Sequence, residues 1–289
     1  MRDVRIAELA GTQFNRVSRG QLRDLGVNGN AIDRRVASGR LVVVEPGVYG
    51  VPPVVYDDWG RWMGATMTAP GSLLSHASAA AAFGFWDLPR QFEMVTRPGS
   101  GGPRRHGGVL VYRSGTLEDD ADRLRGIPTM RIERTLLDLA AGGLSDQALA
   151  RALREAIRNT RLTLTAMGEA LGGYRGRRGS RRLANCVARY AGLPLGRARS
   201  GAEIRAMEIL RAAGHPLPRL NRRIAGEEAD LSWADRRLII EVDGGPFHLD
   251  VGEDARKEGI WRAAGWTVRR IGSDDIYNRP YLLRDLVDA

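Results

Sequence analysis

The stretch Ala229–His248, ADLSWADRRLIIEVDGGPFH, constrains the fold of this chain more than any other. Leu238–Val242 is an apolar, β-branched run of the kind that fills a buried strand. Asp230–Trp233 forms a shorter arm before it, and the polar Ala-Asp-Arg-Arg between the two reads as a turn. A turn centred between Asp235 and Arg236 puts Asp230 directly opposite Glu241. Residues opposite each other in an antiparallel pair share a face, with Cβ atoms about 5 Å apart. Side chains alternate along a strand, so Asp243 is expected on the face of Glu241. Three acids would then converge where an apolar strand runs out, and a divalent cation is the usual relief for such repulsion. On this reading the metal ligands are Asp230, Glu241 and Asp243.

A length of 289 residues leaves room for about two domains beside or around that hairpin. Hydrophobic residues at 43% and charged residues at 27% are those of a soluble globular protein. No apolar run approaches the ~20 residues of a membrane span, and MRDVRIAELAG carries no signal-peptide core, so a cytoplasmic protein with no membrane partner is expected. The single Cys186 excludes a disulfide framework and a thiolate zinc cluster. The net charge of +10 points to a polyanionic partner, DNA first. Of 44 basic side chains every one but Lys257 is arginine. A lone lysine is either chance or a place where a compact ammonium is wanted.

Taken in order, residues 1–52 read as a winged helix-turn-helix. Val4–Leu9 opens a helix, Ser18 caps Arg19–Leu25, Gly26 ends it, and Asn28 caps Ala31–Ala37. RLVVVEPGVYGV continues as a strand, a Pro-Gly turn and a strand. The second helix of such a motif enters the major groove, which makes Arg34, Arg35 and Arg40 the expected DNA contacts. Residues 53–171 read as a mixed middle region. There Ser75 is expected to cap a helix, and no acid is spaced to make a nucleophile of it with His76. The Gly99–Gly108 loop lacks the Lys-Ser/Thr ending of a phosphate loop. Residues 172–199 have no acid and are rich in Arg and Gly, so a basic, partly flexible junction is expected. Its Arg177, Arg178, Arg181 and Arg182 would track a nucleic-acid backbone. Residues 200–289 carry the order α-β-β-β-α-β-α, with Ser200 and Glu203 spaced as a capping box.

These residues carry two resemblances. The run VSRGQLRDLGVNGNAIDRRVASGRLVVVEPGVYGV, with SHASAAAAFGFWDLP at 75–89 and GIPTMRIERTLLDLA at 126–140, resembles the AbiEi-type antitoxins of type IV toxin–antitoxin systems. That resemblance covers residues 1–140 and implies DNA binding, promoter autoregulation and a cognate toxin or other protein partner, not catalysis. S-x-x-E at 200–203, AGHPLPR, ADLSW, LIIEVDGGPFH and the spacing of Asp254, Lys257, Trp261 and Gly265 resemble the PD-(D/E)xK restriction-endonuclease-like superfamily. Within it they look like the uncharacterised family related to very-short-patch-repair endonuclease. The resemblance implies phosphodiester hydrolysis with Mg²⁺ or Mn²⁺ on Asp230 and Glu241, with Glu203 orienting the metal or its water and His248 as base or phosphate contact. The superfamily lysine two residues after the glutamate is Asp243 here, and Lys257, at i+3 from Asp254, is the candidate substitute.

The expected fold is therefore an α/β (α+β) multidomain chain. It has a winged helix-turn-helix at 1–52, an α+β middle at 53–171, the basic junction at 172–199 and an endonuclease-like domain with a small mixed sheet at 200–289. Two functions stay open, a DNA-binding endonuclease and a non-catalytic regulator whose nuclease-like domain serves binding or docking.

Overall fold

The computed structural model describes residues 2–86, 91–193, 198–244 and 251–289, which divide into two compact units, Met1–Asn185 and Cys186–Ala289. The first unit opens with α1 (Arg2–Gly11), β1 (Arg16–Ser18), α2 (Arg19–Asp24) and α3 (Gly29–Ala37). The strands β2 (Val42–Glu45) and β3 (Val48–Gly50) form the wing, and β3 lies antiparallel between β1 and β2. Ser18 takes the Gln21 N–H at 3.2 Å while Gln21 Oε1 takes the Ser18 N–H at 2.9 Å, a reciprocal cap. Asn28 accepts from Ala31 N at 2.9 Å, so α3 starts at Gly29, earlier than the expected Ala31. The cap bond spans three residues, and the helix begins just after its cap. Ile6, Leu22, Ile32 and Leu41 close the small core beneath.

A helix, α4 (Asp58–Met67), then packs on β1 and leads into a six-stranded sheet. Its strands are β4 (Leu73–Leu74), β5 (Glu93–Pro98), β6 (Arg104–His106), β7 (Val109–Ser114), β8 (Ala121–Leu124) and β9 (Ile127–Met130), in the spatial order β6-β7-β5-β4-β9-β8. Helix α5 (His76–Ala82) links β4 to β5. The Gly-rich segment 99–108, expected as a plain loop, contains β6 paired antiparallel to β7. Helices α6 (Ile132–Ala141), α7 (Asp146–Asn159), α8 (Leu164–Gly173) and α9 (Ser180–Ala188) come next.

Within the segment expected as a loose junction, the described residues include α9 and a packed turn before it. Gly179 sits at φ +86°, and a Cβ there would lie 2.6 Å from Ala141 N and 2.9 Å from Leu137 O. The glycine serves close approach to the end of α6 rather than flexibility. Arg182 seals the same place, donating to Ala140 O at 2.9 Å and to Asp146 Oδ1 at 2.8 Å.

The second unit is built on α10 (Gly201–Ala212), β10 (Arg219–Ile224), β11 (Glu227–Trp233), β12 (Leu238–Asp243), α11 (Val251–Ala263), β13 (Thr267–Gly272), α12 (Ser273–Asn278) and α13 (Pro280–Asp288). The sheet runs β10-β11-β12-β13, antiparallel except for the β12–β13 pair, which is parallel, so it is the small mixed sheet that was expected. Two details differ from expectation: β11 reaches back to Glu227, and a short helix, α12, stands between the last strand and the closing helix. Ile204, Met207 and Leu210 form the buried stripe of α10, and Leu283 and Val287 that of α13. Trp261 of α11 has no exposed surface and donates Nε1–H to Ile224 O at 3.1 Å. Among the described residues no helix is long and apolar enough to cross a membrane.

Candidate functional site

The hairpin register is the one read from the turn: Trp233 opposes Leu238 and Leu231 opposes Ile240, which brings Asp230 level with Glu241. At that level the ladder stops. The Asp230 N–H donates to Glu241 Oε1 at 3.0 Å, and the Val242 N–H donates to Asp230 Oδ2 at 2.8 Å. Each carboxylate thus takes a strand donor that a ladder bond would otherwise have used.

On the other side of β11 pairing runs through Leu220–Leu231 and resumes at Arg222–Ala229, skipping Asn221 opposite Asp230. Asn221 has φ +46°, a left-handed backbone inside a strand. Ala229 and Ile239 share one buried cluster with Trp261, although unbroken alternation from the Leu231–Ile240 pair would put them on opposite faces. The sheet is dislocated along the line Asn221–Asp230–Glu241. The expected plain face of three acids is therefore not what forms, because the carboxylates of Asp230 and Glu241 turn into the gap between the strands.

Burial dominates the electrostatics of the pair. It pushes the Asp230 carboxyl up to about 6; the bond from Val242 N–H opposes this, and the charges of Glu203, Glu228 and Asp243 add to it. Burial and the charge of Asp230 push Glu241 up to about 7 against the pull of Arg270 and Lys257. The two carboxyls titrate as one pair.

Asp243 does not join them as a third bare acid. Its Oδ1 is 2.9 Å from Arg270 Nη1, and the same guanidinium reaches Asp254 Oδ2 at 3.1 Å. Arg270 lies on β13 level with Glu241, where parallel pairing places it. Sequence reasoning missed it, although consecutive arginines inside an otherwise apolar strand were a visible signal.

Lys257 lies 3.4 Å from Glu253 Oε1, one helical turn back, and Asp254 is taken by Arg270 instead. Glu203 is buried, and its Oε2 accepts from Arg199 N at 2.9 Å and from Asn221 Nδ2 at 2.6 Å. The capping box is thus only half made: Ser200 Oγ takes the Glu203 N–H at 3.0 Å, while Asn221 draws the carboxylate away from Ser200 N–H. Asn221 is the second residue the sequence reading missed. His248 lies outside the described residues.

Among the described residues no three His, Cys, Asp or Glu side chains are placed to hold a metal ion together. The available donors are the two carboxylates of Asp230 and Glu241. Hard oxygen donors in that number fit Mg²⁺, which uses one or two carboxylates and fills its shell with water and substrate phosphate.

The arginines expected on DNA divide into two groups. Arg34, Arg178 and Arg181 are exposed and make no ion pair among the described residues. Arg35 grips Asp3 Oδ1 through Nη2 at 2.7 Å and Nε at 3.0 Å, and Arg40 Nη1 lies 3.5 Å from Asp3 Oδ2. The Arg35 hydrogen bond, reinforced by the charges of both arginines, holds the Asp3 carboxyl below its ordinary range. Arg177 donates to Asp120 Oδ2 at 3.1 Å, and Arg182 caps α6 as described. These four have internal work that a fold-blind reading of charge could not see.

The first unit holds a second cluster of acids. Arg134 donates to Asp120 Oδ2 at 2.6 Å and to Asp138 Oδ1 at 2.9 Å, and Tyr174 donates to Asp120 Oδ1 at 3.0 Å. The His76 ring stacks on Tyr112 at 3.8 Å. Its Nδ1 lies 2.9 Å from Ser75 Oγ and 3.9 Å from Asp138 Oδ2. An acid does face His76, contrary to the sequence reading. Both groups address the same ring nitrogen, however, whereas a nucleophile relay needs one on each. Ser75 has no exposed surface and accepts from Thr96 Oγ1 at 2.8 Å instead of capping α5. Burial, more than any charge, lowers the His76 pKa.

Comparison with known proteins found one family and a weakly similar solved structure. Residues 4–52 match the family described as "Transcriptional regulator, AbiEi antitoxin". Among solved structures, the chain is similar to one titled "Homing Endonuclease I-Bth0305I Catalytic Domain" at 21% identity, over 30% of this chain and 90% of that chain, with a TM-score of 0.26. That likeness is too weak to assign a residue or a step. No curated protein matches the chain.

Proposed function

We propose that this chain is a DNA-binding protein in which an AbiEi-type winged helix accompanies a divalent-metal phosphodiesterase site in the second unit. The observation that carries the reading is the Asp230–Glu241 pair, two half-buried acids locked by each other's strand at a break in the sheet. Each keeps one oxygen, Asp230 Oδ1 and Glu241 Oε2, that no described donor occupies. These two atoms would hold Mg²⁺ or Mn²⁺. A bound ion supplies charge neutralisation at the phosphoryl oxygen and an acidified water. The chain's own part is to place the acids and balance the charge around them. Arg270 pairs with both Asp243 and Asp254 and so offsets part of the negative charge beside the pair. Lys257, whose positive charge is felt at Glu241, offers a compact cation to a phosphate beside it. Arg34 on α3 and the exposed Arg178 and Arg181 supply phosphate contacts that place the DNA.

Supercoiled plasmid incubated with Mg²⁺ or Mn²⁺ tests this. The wild type is expected to nick or linearise it, and Asp230→Ala and Glu241→Ala are expected to abolish the reaction. The Arg270–Asp243 pair favours one other reading, since it occupies with a structural ion pair the place where the superfamily carries its lysine. On that reading the chain is an antitoxin-like regulator whose second unit only docks. Promoter DNA binding without cleavage under either metal would establish that reading and end the nuclease one.

A further inference from the structure

We infer that Asn221 is a positioning residue of the acid pair, holding the sheet open at Asp230 and pinning Glu203 behind it. This rests on the reading of Asp230 and Glu241 as metal-binding acids and concerns what aims them.

Asn221 is the one residue of β10 with a left-handed backbone, and it falls at the level where pairing with β11 is interrupted. Breaks of this kind in a ladder re-aim side chains, and they concentrate beside functional sites. The neighbours at Leu220 and Arg222 pair normally, so the interruption is local to one residue. It is continued on the other side of Asp230, where the Asp230–Glu241 level lacks ladder bonds and the carboxylates take the strand N–H groups.

The side chain has a second task. Asn221 is 8% exposed, and its Nδ2 donates at 2.6 Å to Glu203, itself 4% exposed. Glu203 receives Arg199 N–H on the same oxygen, so its carboxylate is fixed from two sides, the residue preceding the α10 cap and β10. Held there, its negative charge acts on Asp230. Few residue types can do both jobs. Asn accepts a left-handed backbone more readily than other side chains and still supplies an amide donor. Gly would accept the backbone but donate nothing, and Asp would place an acceptor against a carboxylate.

The test uses the full chain, with Mn²⁺ affinity and amide hydrogen exchange as readouts. Asn221→Gly keeps the backbone and removes the donor. It is expected to weaken Mn²⁺ binding by about tenfold or more, the usual effect of losing an outer hydrogen-bond partner. The amides of Asp230 and Val242 are expected to exchange faster in the same variant. Asn221→Asp should behave likewise, while Asn221→Asp combined with Glu203→Gln remakes that bond with donor and acceptor exchanged, gives up the Arg199 N–H bond to the same atom, and should recover part of both readouts. Wild-type Mn²⁺ affinity and amide protection in a folded Asn221→Gly would overturn the inference. If Asn221→Gly fails to fold, a double exchange no better than Asn221→Asp alone would overturn it. Should the wild type bind no Mn²⁺, the metal reading falls, and amide exchange still decides the role of Asn221.

Discussion

Two groups of acids in this chain, one buried and one half-buried, are built on opposite principles. Around Arg134 the side chains that reach Asp120 are cations and a hydroxyl: Arg134, Arg177 and Tyr174 converge on its two oxygens. Around Glu241 the acids face one another, and their only direct donors among the described residues are backbone N–H groups of the neighbouring strand. In the first cluster burial, helped by Asp120, raises the Tyr174 hydroxyl and keeps it a donor. In the second, burial and neighbouring acid charges raise the carboxyls themselves, Asp230 to about 6 and Glu241 to about 7. A matched cluster holds a fold together, whereas an unmatched one keeps unmet demand for positive charge. That contrast separates a structural network from a candidate site better than burial or acid count does.

The contrast can be broken most forcefully at Asp120. Asp120→Ala leaves the buried Arg134 short of a partner and frees Tyr174 and Arg177. It is expected to destabilise the first unit by about 3–5 kcal/mol in thermal or urea melts. At the other cluster the sign reverses. Asp230→Asn or Glu241→Gln removes repulsion and should stabilise the chain by about 0.5–2 kcal/mol near neutral pH while abolishing any stabilisation by Mn²⁺. A loss of stability in both variants would mean that the pair is structural after all.

The pH dependence sharpens the same point. A carboxyl whose folded pKa is raised binds its proton more tightly when folded, so stability falls as pH rises through the window between the unfolded and folded values. For these two groups that window opens at 3.8 and 4.5 and closes at about 6 and about 7. Denaturant melts of the wild type minus those of the Asp230→Asn, Glu241→Gln double variant should therefore show the wild type losing ground as pH rises across it. A divalent cation should restore that loss on the alkaline side only, since protons compete for the same oxygens below it. The smallest effects belong to the surface arginines. Arg34→Gln, Arg178→Gln and Arg181→Gln should each reduce the salt slope of DNA binding by about one. Arg35→Gln and Arg177→Gln should cost stability and leave the slope nearly unchanged.

What was legible in the sequence is what local chemistry encodes. Ser18 and Asn28 announce the helices they cap, and the turn at Asp235–Arg236 sets Asp230 level with Glu241 through the two-residue period of strands. What was not legible depends on residues distant in sequence meeting in space. Asp3 meets Arg35, Asp146 meets Arg182, and Asp138 meets His76. No spacing rule reports such pairs, so the basic segment at 172–199 read as free charge when half of its candidates were committed internally. The dislocation at Asn221 was hidden for another reason. RLNRRI has the pattern of an ordinary edge strand, and a single left-handed residue leaves no trace in a period-two pattern.

One plain compositional fact acquires a use from the position of its residue. Lys257 is the only lysine in the sequence, its side chain is 30% exposed, and Glu241 feels its charge. Reductive methylation with a ¹³C-labelled reagent would therefore place one ε-amine signal in this sequence, on a group whose charge reaches Glu241. Apart from the N-terminal amine, nothing else would report. The chain carries a built-in spectroscopic probe of its own candidate site, readable without mutation.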